Sequence, residues 1–158
     1  MLSIVLIILN FIIFIGYNAY IIKKFGIPES LSITTYLMGK YYWIFPLICG
    51  FFTFTVLPIW LMQYPTTWDF LKFLSCVGIL FVGATPFFKK EFDGKIHYTA
   101  AILSAVCFIT WMIICGFYWW LCIGGALFII LLIFWKLKNI VYSGEIVLWL
   151  MLLLFLIF

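Results

Sequence analysis

His97 is the only histidine in this chain of 158 residues. Histidine is the side chain whose charge changes most readily near neutral pH. Glu145 is an acid followed, to the C-terminus, by Ile, Val, Leu, Trp, Met and Phe alone. An imidazole near a carboxylate can hold the polar head of a ligand, gate a passage or relay a proton. Hydroxyls accompany them. The stretch Pro28-Glu29-Ser30-Leu31-Ser32 supplies Ser30 and Ser32, while Tyr98, Thr99 and Tyr142 flank the two ionisable groups. These seven residues are expected to form one inward-facing polar vestibule for ligand binding or gating. A plainer reading stands beside it. It takes Glu145 as an anion favoured by a helix N-terminus, and Ser30 and Ser32 as caps of a short interfacial helix.

Other chemistry finds little support. A catalytic zinc needs three protein ligands, and one histidine among scattered acids offers no such set. Serine and histidine are present without the spacing of a nucleophile and its base. No glycine-rich phosphate loop occurs. The five cysteines, Cys49, Cys76, Cys107, Cys115 and Cys122, contain no C-x-x-C pair and all lie in apolar runs, as small buried hydrophobes do. No catalytic residue, metal or cofactor is assigned.

The elements that position these residues follow from composition. Hydrophobic residues make up 68% of the chain and charged ones 9%, against about 25% charged in a soluble domain. Too few polar side chains exist to cover a water-facing surface, so lipid must solvate most of it. That excludes a soluble enzyme, a nucleic-acid binder, a disulfide scaffold and a disordered chain. All nine basic residues are lysine. Without arginine the chain lacks the rigid fork suited to phosphate, and no nucleic-acid partner is expected.

Spanning hydrocarbon takes about 20 apolar helical residues. Six runs qualify, at about 2–22, 42–62, 68–88, 97–118, 119–135 and 141–158. The expectation is an all-α integral membrane bundle of six transmembrane helices with short loops, forming one transmembrane domain over 1–158. Gly116 and the Tyr118-Trp119-Trp120 cluster mark the turn between the fourth and fifth runs. The first run lacks a basic start and a small-residue cleavage site, so it reads as a span rather than a signal. Lys23, Lys24, Lys40, Lys89, Lys90, Lys95, Lys136 and Lys138 fall on one side of this topology, and only Lys72 on the other. The positive-inside rule then places both termini away from the cytoplasm. Trp43, Trp60, Trp68, Trp119, Trp120 and Trp135 fall at span ends, as an aromatic belt would. Trp111 and Trp149 lie deeper.

Some faces are not made for lipid. Ser3, Asn10 and Tyr17 are spaced by seven and share a face of the first helix. Asn10 at mid-bilayer must meet other helices, as packing glue or as part of a polar path. Pro46 and Pro58 each remove a hydrogen bond from the second span, freeing carbonyls near Tyr42 and Phe54, with Thr53 and Thr55 as local donors. Ser75, Gly78, Gly83 and Ala84, with Ala100/Ser104 and Ala101/Ala105, allow close helix approach, which places spans three and four at the bundle centre. The last span, uniformly apolar after Glu145, is expected at the rim or at a subunit contact. Asp69 and Lys72, one turn apart, are expected to pair and snorkel to the interface.

Gly83-Ala84-Thr85-Pro86 and Asp93-Gly94-Lys95-Ile96-His97-Tyr98 with Ala101, together with the Pro28–Ser32 stretch, Glu145 and Trp149, resemble small uncharacterised six-span membrane proteins of Bacteroidetes and their phages. The resemblance covers most of the chain. It implies a bacterial cytoplasmic membrane and no established activity. Three functions are carried forward. The first is a non-enzymatic polytopic protein that binds a small ligand, lipid or partner through the cytoplasm-facing pocket. The second is an oligomeric pore or channel subunit. The third is a membrane-embedded enzyme. Membrane lipid, a second copy of the chain and a soluble protein are the partners considered.

Overall fold

The computed structural model describes residues 2–88, 94–135 and 139–157. All regular structure among them is helical. Six long helices, α1 (Leu2–Phe25), α3 (Ile44–Gln63), α4 (Asp69–Phe88), α5 (Gly94–Ile114), α6 (Tyr118–Phe134) and α7 (Ile140–Ile157), are joined by short connections. The connection from α1 to α3 holds one helical turn, α2 (Thr34–Leu37), and a 3-10 turn at Gly39–Tyr41. Among the described residues, four helical stretches are long and apolar enough to cross a membrane: Leu2–Phe25, Gly39–Gln63, His97–Ile114 and Ile140–Ile157. The helix α6 is apolar but has 17 residues. The chain is thus an all-helical protein of membrane-spanning character. Of the lysines that set the orientation argument, Lys89, Lys90, Lys136 and Lys138 lie outside the described residues, as do the loop residues Glu91 to Asp93.

Local chemistry marks several helix ends. Gly26 adopts φ +79° after α1, a conformation that only glycine takes without a steric cost. Gly116 does the same at φ +80°. There the amide of Gly116 donates to the Ile113 carbonyl at 3.1 Å, and that of Phe117 to Met112 at 2.9 Å. That pair of bonds is the Schellman closure of a helix C-terminus, and it separates α5 from α6. Pro65 follows Tyr64 and stops α3. Asp69 then accepts from both the amide and the hydroxyl of Thr66 at 3.1 Å. This Thr-x-x-Asp pattern is a capping box that starts α4.

The helices α4 and α5 share the most extensive contact, followed by α3 with α4. Small residues make it possible. A Cβ added to Gly78 would sit 2.7 Å from Cβ of Ser104 and 2.8 Å from the carbonyl oxygen of Ala100. Gly83 packs in the same way on Cys49 of α3. The hydroxyl of Ser104 crosses to the Ser75 carbonyl at 2.7 Å. The centre of the bundle, however, belongs to α7 rather than to α4 and α5. Its residues Tyr142, Ser143, Ile146, Val147, Trp149, Met151, Leu152, Leu153, Phe155 and Leu156 are all buried, whereas α5 exposes Ile102, Leu103, Val106 and Ile113. The expected rim position is therefore corrected. A helix apolar on every side suits burial as well as lipid, and the aromatic rings decide. Trp149 stacks on Phe14 at 4.9 Å and meets Phe52 at 4.2 Å. Phe155 contacts Tyr64, Trp111, Phe117 and Trp120.

Three further expectations change. Pro46 lies in the first turn of α3, where its missing N–H breaks no helical bond; only Pro58 interrupts the helix. Trp60 is fully buried against Trp111 and Phe108 rather than lying in a belt. Trp43, Trp68 and Trp119 are exposed, and Trp111 and Trp149 are buried as expected. Among the cysteines, all free, Cys122 is exposed.

Lys72 departs furthest from expectation. It pairs with Asp69 at 2.8 Å but does not snorkel: its side chain is 0% exposed. Its ammonium donates to the carbonyls of Trp60, at 3.2 Å, and Tyr64, and lies 4.9 Å from the centre of the Trp111 ring. It therefore satisfies the open C-terminus of α3, which would otherwise leave bare carbonyls in the interior.

Close approach at Gly78 yields a graded prediction. Gly78→Ala should destabilise the folded protein by about 1–3 kcal/mol, the usual cost of overpacking. Gly124→Ala, which meets only the flexible Met151 side chain at 3.1 Å, should cost less, and Gly16→Ala, which meets nothing within 4 Å, least. Thermal unfolding in one detergent ranks the three. Equal midpoints would mean that α4 and α5 do not depend on this contact.

Candidate functional site

The connection between α1 and α3 is the unusual part of the fold. Connections normally run over the surface because their backbone groups need water. Here Pro28, Ser30, Leu31, Ser32, Thr34, Thr35 and Met38 are buried. The segment dips into one end of the bundle, and its polar groups find partners on the helices around it. The amide of Leu31 donates to Oε2 of Glu145 on α7 at 2.6 Å. The amide of Tyr142 donates to the Glu29 carbonyl at 3.2 Å, and the Asn139 side chain to the Ile27 carbonyl at 2.9 Å. Tyr17 of α1 bonds to the hydroxyl of Thr34, which bonds back to the Leu31 carbonyl.

His97 lies at the start of α5, 1% exposed. Its Nε2 is 2.8 Å from the hydroxyl of Ser32, and Ser32 is 3.0 Å from that of Ser30. Oε1 of Glu145 lies 4.0 Å from the same Nε2, beyond hydrogen-bond length. The structure thus brings Ser30, Ser32, His97 and Glu145 together. Tyr142 is buried beside them, but its hydroxyl turns to Asn18 at 2.7 Å and its ring stacks on Trp135. Tyr98 and Thr99 are exposed; the Tyr98 ring stands edge-on to His97 at 5.6 Å. They are not in the cluster.

The cluster is not arranged for nucleophilic relay. In such a relay the acid orients the imidazole through one nitrogen while the nucleophile meets the other. Here Ser32 and Glu145 both approach Nε2. Among the described residues, no three His, Cys, Asp or Glu side chains converge as metal ligands would. What the arrangement can do is hold hydrogen-bonding groups.

Space lies beside it. A cavity between α3, α4, α5 and α7 is bounded by Leu31 and Glu145 and walled by Phe45, Phe52, Phe108 and Trp149. About 60 Å³ of it can be reached by the centre of a water molecule. Ser75, Ser104 and Glu145 are its polar lining residues. No sequence pattern announced this cavity. The small residues Ala101, Ser104 and Ala105 that open its α5 wall were legible only as packing steps.

The other polar face resolves differently. Asn10 is buried and donates to the hydroxyl of Thr55 on α3 at 2.7 Å and to the Leu6 carbonyl at 2.9 Å. Thr55 in turn donates to Phe51 at 2.7 Å. Tyr17 is engaged by Thr34, and Ser3 is half-buried. Asn10 and Tyr17 therefore join helices within one protomer. Thr53 reaches α4, donating to the Cys76 carbonyl at 3.3 Å.

Comparison with protein-family models, curated proteins and solved structures finds no match for this chain.

Loss of the carboxylate should be felt first in the dipping segment. Glu145→Ala leaves the Leu31 amide buried without an acceptor, at about 1–3 kcal/mol. Amide exchange over residues 31–37 should quicken by about tenfold or more, a local opening rather than global unfolding. Unchanged exchange there would show that Glu145 does not anchor the segment.

Proposed function

We propose that this chain is a six-span membrane protein that binds a small amphiphilic ligand in the cavity beneath the Ser32–His97–Glu145 cluster. One observation supports it above the others. The only histidine, a largely buried acid and two serines from three separate elements meet, and the acid of that cluster, Glu145, also lines an apolar, aromatic-walled cavity. Pockets that bind small molecules combine a largely apolar lining with a few convergent polar groups. Ionisable residues inside a membrane protein are functional candidates by default.

The six-span reading has support from helix order. The α1–α3 connection, the start of α5 and the start of α7 meet at one end. The end of α3, the start of α4 and the ends of α5 and α7 meet at the other, around Lys72, Trp111 and Phe155. That is the order of six helices running alternately up and down. With the lysine-rich connections inward, the His97 end faces the cytoplasm of a bacterial cell and both termini lie outside. Reporter fusions at the two ends check this: each should report an extracytoplasmic location, and a cytoplasmic signal at either overturns the orientation.

The binding function is tested by ligand retention. Native mass spectrometry of protein extracted from membranes should show a co-purifying amphiphile. His97→Ala and Glu145→Ala should insert normally yet retain several-fold less of it. Retention equal to wild type in both variants would reduce the cluster to a structural clasp. The pore alternative, an oligomer with its path lined by the Ser3/Asn10/Tyr17 face or by the proline-kinked α3, has less support, since Asn10 and Tyr17 bond to neighbouring elements within the protomer.

A further inference from the structure

The cavity wall has a definite electrical character. Glu145 is the one charged residue among its described lining residues, and it is an acid. Oε2 accepts the Leu31 amide. Oε1 has His97 Nε2 at 4.0 Å, and that nitrogen is already in hydrogen-bond contact with Ser32 at 2.8 Å. A carboxylate offers about four acceptor positions, so Glu145 keeps acceptor capacity on a side chain only 15% exposed. Around it stand the rings of Phe45, Phe52, Phe108 and Trp149. Aromatic faces attract cations, and a buried carboxylate is costly until a positive charge or a donor meets it. No lysine is among the described lining residues.

We infer that the ligand class is an organic ammonium: a protonated amine whose N–H points at Oε1 of Glu145 and whose apolar substituents lie against the aromatic wall. This names the ligand of the cavity proposed above and rests on that reading. A second space adjoins the cavity. A second, almost wholly apolar cleft of about 370 Å³ opens between α5, α6 and α7, lined by Leu121, Gly124, Gly125 and Phe128 among others. Phe108 and Leu148 belong to the walls of both spaces. Displacement of these two side chains would join the two spaces and admit an amphiphilic cation from among the lipid chains.

The test uses three probes of similar shape and different charge: N,N-dimethylbenzylammonium, isobutylbenzene and phenylacetate. Each is titrated calorimetrically into the full chain in nanodiscs of zwitterionic lipid, with empty nanodiscs as the blank. The ammonium should bind at least about tenfold tighter than the neutral isostere, equivalent to about 1.4 kcal/mol, and phenylacetate should be the weakest. Glu145→Gln should abolish the advantage of the cation. Ala101→Leu, which fills the cavity without touching the carboxylate, should weaken both the cation and the neutral isostere. Thermal unfolding of each variant checks that it is folded. If the neutral isostere binds as well as the ammonium, or the cation's advantage survives Glu145→Gln, the cation assignment is overturned while the cavity reading stands. A preference for phenylacetate overturns the assignment in favour of His97. No binding by any probe, or binding indifferent to Ala101→Leu, overturns both the assignment and the cavity reading.

Discussion

The amide of Leu31 reaching the carboxylate of Glu145 is the contact on which the rest of the site depends. A polypeptide segment that leaves helical structure inside an apolar interior exposes donors and acceptors that lipid cannot satisfy. The chain meets this constraint with side chains from three helices and their flanks: Tyr17 on α1, His97 on α5, Glu145 on α7, and Asn139 one position before α7. The polar residues that looked like a binding vestibule therefore have a second duty. They hold the α1–α3 connection in place, and the same carboxylate that anchors it also faces the cavity. Support for the segment and character of the cavity are carried by one residue, so neither can change without the other.

Much of this was legible in the residues. Six apolar runs punctuated by lysines and by Gly116 correspond to six long helices, because a 20-residue apolar stretch has few other structures open to it. The small residues Gly78, Ala100 and Ser104 announced close backbone approach, since only a missing or minimal side chain permits it. Ser32, His97 and Glu145 were placed together by counting spans, as alternation of direction leaves no freedom about which ends meet. Asn10 was expected on an interior face, and it bonds to Thr55.

Other features needed three dimensions. The central position of α7 was illegible because a helix that is apolar all round carries no directional pattern, and its place is set by the fit of Trp149 and Phe155 among rings from other helices. Tyr98 and Thr99 adjoin His97 in sequence, but successive residues on a helix point about 100° apart, so they turn outward. Trp60 sits near a span end by number yet beneath Lys72 in space. The cavity is a negative shape between four helices, and no spacing within one helix encodes it.

The burial of Lys72 gives the two ends of the molecule different surface chemistry. Its ammonium is fully engaged by two carbonyls, a carboxylate and an indole ring, so it has nothing to offer a phosphate headgroup. Lys23, Lys24 and Lys40, by contrast, sit exposed at the opposite end. Among the described residues, the Lys72 end shows half-open Asp69 and aromatic rings but no accessible cation. Anionic phospholipids would therefore gather around one rim of the protein and be indifferent to the other, giving it a polarity toward its lipid annulus that the near-uniform greasiness of its helices conceals.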